Sequence, residues 1–231
     1  MGGRPFVFDR PTQQARFITF EGGEGAGKST QIARLADKLQ SEGIASIITR
    51  EPGGSPGAEA IRHVILSGAA ESLGPDAEAM LFAAARSDHI EQTIKPALSR
   101  GKWVLCDRFV DSTQVYQGEG GADPRIVDAL KLISIGSCMP DLTIIIDIPA
   151  EIGLERARKR QTAEHPGAPD RFEKEALSIH EGRRQAFLKL AADNPGRCVV
   201  VDGMQGIDGV EQQVWNVAKS LVHGPQTPGN I

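Results

Sequence analysis

The sequence predicts an α/β fold: one doubly wound domain in which a five-stranded parallel sheet carries helices on both faces. Three observations carry this expectation. Five short runs rich in β-branched residues alternate with longer stretches whose apolar residues recur three and four apart. The strand runs are nearly all apolar, as in Thr143–Ile146, which is expected where helices cover both faces of a parallel sheet. The length of 231 residues is that of one ordinary domain.

In chain order, residues 1–15 are rich in Gly, Pro, Arg and Gln without period and read as a loose tail before a domain spanning 16–222. Phe17–Glu21 is the first strand, and after a glycine-rich loop the apolar spacing of Ser29–Gln40 is helical. Ile44–Thr49 is the second strand, followed by helices over Ala58–Leu66 and Asp76–Ser99, the latter broken only by Pro96 near its end. Trp103–Asp107 is the third strand, Asp123–Ile135 a helix and Leu142–Ile148 the fourth strand. The run Arg156, Arg158, Arg160 then leads into Gln161–Asp170, which has two prolines, no large apolar side chain and no period, and reads as a mobile loop or lid over about 156–171. A helix over Arg171–Ala192, a fifth strand Cys198–Asp202 and a helix over Ile207–Leu221 complete the domain, and 223–231 is a second loose tail.

Composition narrows the function. Hydrophobic residues make up 40% and charged residues 24%, which is globular and excludes a disordered or collagen-like chain. With 26 basic and 30 acidic residues the formal charge is −4, the wrong sign for broad nucleic-acid binding, so an anion must be held by a local site. The cysteines Cys106, Cys138 and Cys198 are scattered, without zinc or disulfide spacing. No apolar run approaches the length of a membrane span, and Arg4, Asp9 and Arg10 stand where a signal peptide would be apolar. A cytoplasmic protein without membrane attachment is expected.

The loop Gly22-Gly23-Glu24-Gly25-Ala26-Gly27-Lys28-Ser29-Thr30 is a full match to GxxxxGK[ST] between a strand and a helix, the context that phosphate binding requires. Its glycines allow backbone N–H groups to turn inward around a phosphate, and the following helix adds its positive end. Lys28 would bridge the outer phosphates of a nucleotide, and Ser29 can ligate Mg²⁺. A GTPase switch would need [NT]KxD, and the chain contains neither Asn-Lys nor Thr-Lys. A small kinase fits the length better than an ATPase subunit.

At the end of the third strand, Asp107 resembles the acid that holds Mg²⁺ in such enzymes, and Arg108 can clamp a phosphate bidentately. Phe82 and Arg86, at i and i+4, share one helix face and suit a nucleobase beside a phosphate or carbonyl. Taken alone, the same pair reads as a core aromatic and a solvated charge.

With these residues the chain resembles the bacterial thymidylate kinases, of the nucleoside monophosphate kinase group, from about Arg16 to about Leu221. The likeness is carried by FEGGEGAGKST at Phe20–Thr30, TREPGG at Thr49–Gly54, AMLFAAAR at Ala79–Arg86, CDRFVDSTQVYQG at Cys106–Gly118, PDLTIIIDIP at Pro140–Pro149 and ERARKR at Glu155–Arg160. The resemblance implies a P-loop kinase fold, transfer of the γ-phosphoryl group of ATP to dTMP with Mg²⁺ in dTTP biosynthesis, and a homodimer. It implies that Phe82 stacks on thymine, that Arg86 and Thr113 bond the base edge, and that Arg108 holds the acceptor phosphate. Glu51 and Arg62 would complete the acceptor pocket, Tyr116 and Gln117 would close it near the sugar, and Glu24 would lie near the acceptor phosphate and the 3′ position.

The P-loop contains no arginine, so the resemblance is to the variety that supplies catalytic arginines from the lid: Arg158 and Arg160, with Arg171 as a support at the lid's end. Residues two apart on a helix point in different directions, so either the helix unwinds near Lys159 or one arginine dominates, Arg160 being nearer the loop. Phe109 stands where many relatives have Tyr or His, and Thr113 where others have Ser or Asn. A kinase for another nucleoside or nucleotide, and a nucleotide-binding regulatory module, are the alternatives.

Overall fold

Five strands, β1 (Phe17–Glu21), β2 (Ser46–Arg50), β3 (Trp103–Asp107), β4 (Leu142–Asp147) and β5 (Cys198–Asp202), form one all-parallel sheet in the order β2-β3-β1-β4-β5. The computed structural model describes residues 15–164 and 175–223; the side chains of 161–164 lie outside that description. So do Arg171, the rest of the segment 165–174, and most of both expected tails. Ala15, assigned to the tail, is buried at the start of the domain.

The helices are α1 (Lys28–Ser41), α2 (Pro56–Leu66), α3 (Pro75–His89), α4 (Lys95–Ser99), α5 (Val110–Glu119), α6 (Pro124–Ile135), α7 (Ala150–Glu164), α8 (Leu177–Asp193) and α9 (Ile207–His223). One sheet face packs Ile18, Phe20, Leu105, Ile144 and Ile146 against Ile32, Leu35 and Leu39 of α1 and Val210, Val214 and Ala218 of α9. The other packs Phe17, Val104 and Cys106 against Ile90, Ile94, Leu98, Phe109, Val110 and Ile135. Trp103 belongs to the first cluster, Trp215 packs against it, and all three cysteines are buried thiols.

The differences from the expected elements have local causes. The second strand begins at Ser46 because the Ile44 N–H closes the end of α1 on Leu39 O at 2.9 Å instead of joining the sheet. The long helix expected over Asp76–Ser99 is α3 and α4 joined by a π turn at Ile90–Ile94. Pro96 can give no N–H to the turn before it, and the widened turn accommodates that gap. The helix expected from Arg171 is described only from Leu177, and Ala176 before it is extended. The helix α5 was not expected at all, and α7 runs without interruption from Ala150 to Glu164, with no unwinding at Lys159.

In the strand order, β1 separates β3 and β2 on one side from β4 and β5 on the other. The carboxyl edge at such a reversal is where an open α/β sheet leaves a crevice. Loop 22–27 leaves β1 at this point, and Asp107 and Arg108 leave β3 beside it.

Candidate active site

The crevice is a cleft of about 280 Å³ lined by Glu24, Gly25, Ala26, Gly27, Lys28, Ser29 and Thr30 on one side and by Glu51, Arg62, Phe82, Arg86, Asp107, Arg108, Thr113, Tyr116 and Gln117 on the other, with Arg160 at its edge. Gly22, Gly23 and Arg158 do not line it. Gly22 is instead pressed on β4: its φ is +127°, and a Cβ there would meet Ile146 O at 2.5 Å. Gly27, at φ 93°, caps α1, so Lys28 opens the helix with its side chain folded back over the loop. Lys28 Nζ donates to Gly22 O at 3.2 Å and Gly23 O at 3.0 Å, two carbonyls that a bound phosphate would replace. The top of the loop touches the base of α7 backbone to backbone: a Cβ on Gly25 would overlap Gly153 O, and one on Gly153 would overlap Glu24 O.

Ser29 Oγ donates to Asp107 Oδ2 at 3.0 Å, so a hydroxyl and a carboxylate meet at the mouth of the loop. Among the described residues no group of three His, Cys, Asp or Glu could hold a metal. One carboxylate and one hydroxyl suffice for Mg²⁺, which takes its remaining ligands from water and substrate phosphates.

Arg108 is placed by its backbone. Its φ of 67° is left-handed, uncommon for a residue with a Cβ. Two successive N–H groups are pinned by the end of β1 to hold it: Arg108 N on Phe20 O at 2.9 Å, and Phe109 N on Glu21 Oε1 at 2.8 Å. The guanidinium then reaches Glu24 Oε1 at 2.6 Å and Ser112 Oγ at 3.2 Å. It stands 4.9 Å from the centre of the Tyr116 ring, whose hydroxyl also donates to Glu24, at 3.0 Å. Burial opposes ionisation of Glu24, but Arg108, Lys28 and the Tyr116 hydroxyl outweigh it and bring its carboxyl down to about 2. Burial also pushes the Tyr116 phenol well up, against the pull of Arg108.

Arg86 is 2% exposed, which removes the reading of it as a solvated charge. Its Nε donates to Glu51 Oε2 at 2.8 Å, and its Nη2 to Thr113 Oγ1 at 2.8 Å and Phe109 O at 3.3 Å. Phe82, one turn earlier on α3, is half-buried and faces the cleft. Arg62 Nη1 donates to Pro52 O at 2.6 Å, and Gln117 Nε2 to Glu78 Oε1 at 3.0 Å, tying α5 to α3. The Gln117 Oε1 is buried without a hydrogen-bond partner.

Several residues at the site went unread in the sequence. Arg183 of α8 lies 4.3 Å from the centre of the Tyr116 ring and pairs with Glu175, so the ring carries a second guanidinium contact besides that of Arg108. Asp111, fully buried, takes both Nη groups of Arg197, at 2.6 and 3.0 Å, anchoring α5 to the start of β5. Asp147, at the end of β4, is bound at 2.7 and 2.9 Å by Arg184 of α8.

Glu21 is the least expected of these. It is fully buried, with Oε2 2.6 Å from the Ser112 hydroxyl. Burial, aided by the neighbouring Asp111, pushes its carboxyl up to about 8, against the hydrogen bonds from Ser112 and Phe109 and the charge of Arg108. Between the ordinary 4.5 and about 8 the unfolded chain therefore ionises this group while the folded chain keeps its proton, so stability falls as pH rises through that window. Glu21→Gln cannot titrate. Its melting temperature should drop less than that of the unsubstituted chain when thermal melts at about pH 5 and about pH 8.5 are compared; equal drops would show that Glu21 ionises freely in the fold.

A family model described as Thymidylate kinase matches residues 20–214. Thymidylate kinase of Bradyrhizobium diazoefficiens is 54% identical over 211 residues, 91% of each chain, and that of Nitrobacter winogradskyi is 55% identical over 205 residues, 88% of each. Among solved structures, the crystal structure of thymidylate kinase from Ehrlichia chaffeensis matches with a TM-score of 0.69 at 32% identity, covering 88% of this chain and 98% of that one.

Proposed function

This chain belongs to the thymidylate kinase family, and from that premise we propose how its own residues divide the transfer of the γ-phosphoryl group of ATP to dTMP. The activity is that of an ATP-dependent dTMP kinase, giving dTDP and ADP. The observation that carries the division of labour is the Glu24 bridge: one residue of the donor loop is bound by Arg108 at 2.6 Å and Tyr116 at 3.0 Å, both from the acceptor side, so the two phosphate sites share one rigid frame.

The acceptor phosphate is itself a competent nucleophile near neutral pH, so no general base is required. Catalysis reduces to positioning and charge neutralisation. Arg108 aligns the acceptor phosphate, Lys28 leaves its loop carbonyls for the outer phosphates of ATP, and Arg160 meets the migrating group from the cleft's edge. Ser29 and Asp107 would hold Mg²⁺, which supplies further neutralisation of the triphosphate. Phe82 stacks on the base, Arg86 and Thr113 read its edge, Arg62 borders the acceptor, and Tyr116 and Gln117 flank the sugar.

A coupled assay of ADP release over a panel of nucleoside monophosphates tests this reading. The kcat/KM should be highest for dTMP and about 10- to 200-fold lower for dUMP, because one methyl group in an apolar pocket is worth about 1–3 kcal/mol. Equal values for the two would show that Phe82 and its neighbours form no methyl-sized pocket. An absence of turnover with every acceptor would favour the regulatory module.

A homodimer is the second part of the proposal. The helices α2, α3 and α6 pack side by side as one layer and leave Val64, Met80, Leu132 and Ile133 exposed, the last at 78%. Covering them with a second copy would bury an apolar patch that a lone chain leaves in water. Light scattering should give about twice the chain mass of 24.7 kDa, and a single-chain mass at working concentration would exclude the dimer. Among the described residues no helix is long and apolar enough to cross a membrane. A cytoplasmic place of action is proposed on the sequence grounds given above.

A further inference from the structure

Behind the cleft wall, Arg86, Glu51, His89 and Thr49 form one ordered chain of hydrogen bonds. Each side chain belongs to a residue no more than 9% exposed, and His89 is fully buried. Glu51 Oε1 lies 3.1 Å from His89 Nδ1, and His89 Nε2 lies 2.7 Å from Thr49 Oγ1. A carboxylate oxygen only accepts, so a hydrogen sits on Nδ1, and Nε2 pairs with the threonine hydroxyl, which can either donate or accept. The turn after Pro52 closes over this pair: a Cβ on Gly54 would overlap both Thr49 Oγ1 and His89 Nε2.

This arrangement occupies both oxygens of Glu51, one on His89 and one on Arg86. Glu51 lines the cleft, and each of its oxygens accepts from a side chain of α3, the guanidinium of Arg86 being one of the two. Arg86 is then fixed by Nε on Glu51 and by Nη2 on Thr113 and Phe109, while its Nη1 donates to no described residue. With Arg86 lining the cleft, Nη1 is the donor left for the base.

We propose that His89, which touches no substrate, is a positioning residue for acceptor recognition: by holding Glu51 it turns Nη1 of Arg86 toward the carbonyl edge of a 4-oxo pyrimidine. An amino group at that position would face a donor with a donor and leave both without a partner, so the same chain disfavours a 4-amino pyrimidine. The inference rests on Arg86 as the reader of the base, and the experiment separates the two.

Steady-state kinetics with dTMP and dCMP would compare His89→Leu, His89→Asn, Thr49→Val and Arg86→Ala, each checked for folding by circular dichroism. The expected result for His89→Leu is a KM for dTMP raised about 10-fold, kcat within about 3-fold, an unchanged KM for ATP and a dTMP to dCMP preference narrowed about 10-fold. His89→Asn, whose amide can present an N–H where Nδ1 stood, should recover most of this. Thr49→Val removes only the far end of the chain and should shift KM in the same direction by about 2- to 5-fold; it serves as the test should His89→Leu fail to fold. The proposal is overturned by a folded His89→Leu with unaltered KM and preference, by His89→Asn no better than His89→Leu, or by a silent Thr49→Val. If Arg86→Ala leaves the preference unchanged, the reading of Arg86 fails first; a strong Arg86 effect beside silent His89 variants removes only the role of His89.

Discussion

Arg160→Ala should lower kcat by about 10²-fold or more while the KM values for ATP and dTMP move only a few-fold. The helix α7 is continuous through this region, so Arg156 and Arg160, four positions apart, share one face while Arg158 points away from it. Arg160 lines the cleft and Arg158 does not, while Arg156 Nη1 donates across to Gly203 O at 3.4 Å. Of the two arginines that the family resemblance made candidates for catalysis, Arg160 is therefore the one whose loss should be felt in the chemical step, where charge on the migrating phosphoryl group is greatest. Arg158→Ala should stay within about 3-fold of the unsubstituted rate. Near-normal kcat in the Arg158→Ala, Arg160→Ala double variant would falsify a catalytic role for this run and leave it a solvated helix face. Damage from Arg158→Ala alone would overturn the assignment of the catalytic role to Arg160.

Arg108→Gly should lower kcat/KM for dTMP by about 10³-fold with little change in the KM for ATP. Glycine is the informative replacement because the backbone here has φ 67°, which glycine adopts without the penalty that alanine would add. What disappears is the guanidinium that bonds Glu24 and Ser112 and stacks on Tyr116. Lysine should rescue poorly, since a point charge cannot replace a planar fork that holds a carboxylate on one edge and offers another to a phosphate. Loss of Arg108 removes the largest of the contributions that offset the burial of Glu24, leaving Lys28, the Tyr116 hydroxyl and His180, so its carboxyl should rise from about 2 toward its ordinary 4.5. An unaltered KM for dTMP in Arg108→Gly would place the acceptor phosphate elsewhere.

The parallel sheet was legible because buried strands such as Leu142–Asp147 are continuous apolar runs, and the donor loop because its spacing is a chemical constraint written in consecutive residues. The helix α5 was not legible for the same reason that it matters. Its sequence VDSTQVYQGE is set by what its side chains must touch, with Asp111, Thr113 and Gln117 buried as fully as Val115, so no apolar stripe remains to mark it. The partners of that helix were hidden by distance along the chain: Asp111 meets Arg197 across 86 positions, and Phe109 meets Glu21 across 88. Arg86 and Phe82 could be placed on one face from their spacing, but nothing local distinguishes a buried arginine from a solvated one until Glu51 arrives from the end of β2.

The glycine contact between the donor loop and α7 fixes the point about which a tilt of the helix would turn. Gly25 and Gly153 meet with no side chain between them, and Arg160 lies seven positions farther along the helix, a lever arm of about 10 Å at 1.5 Å per residue. A tilt of about 20° around that point carries the guanidinium through about 3.5 Å, the difference between a hydrogen bond and none, while displacing the donor loop by almost nothing. The loop can thus remain a fixed cradle while the arginine sweeps, and the gearing between them is set by how near the two backbones stand. A methyl group at either glycine would lengthen that gap and throw the far end of the arm off its mark.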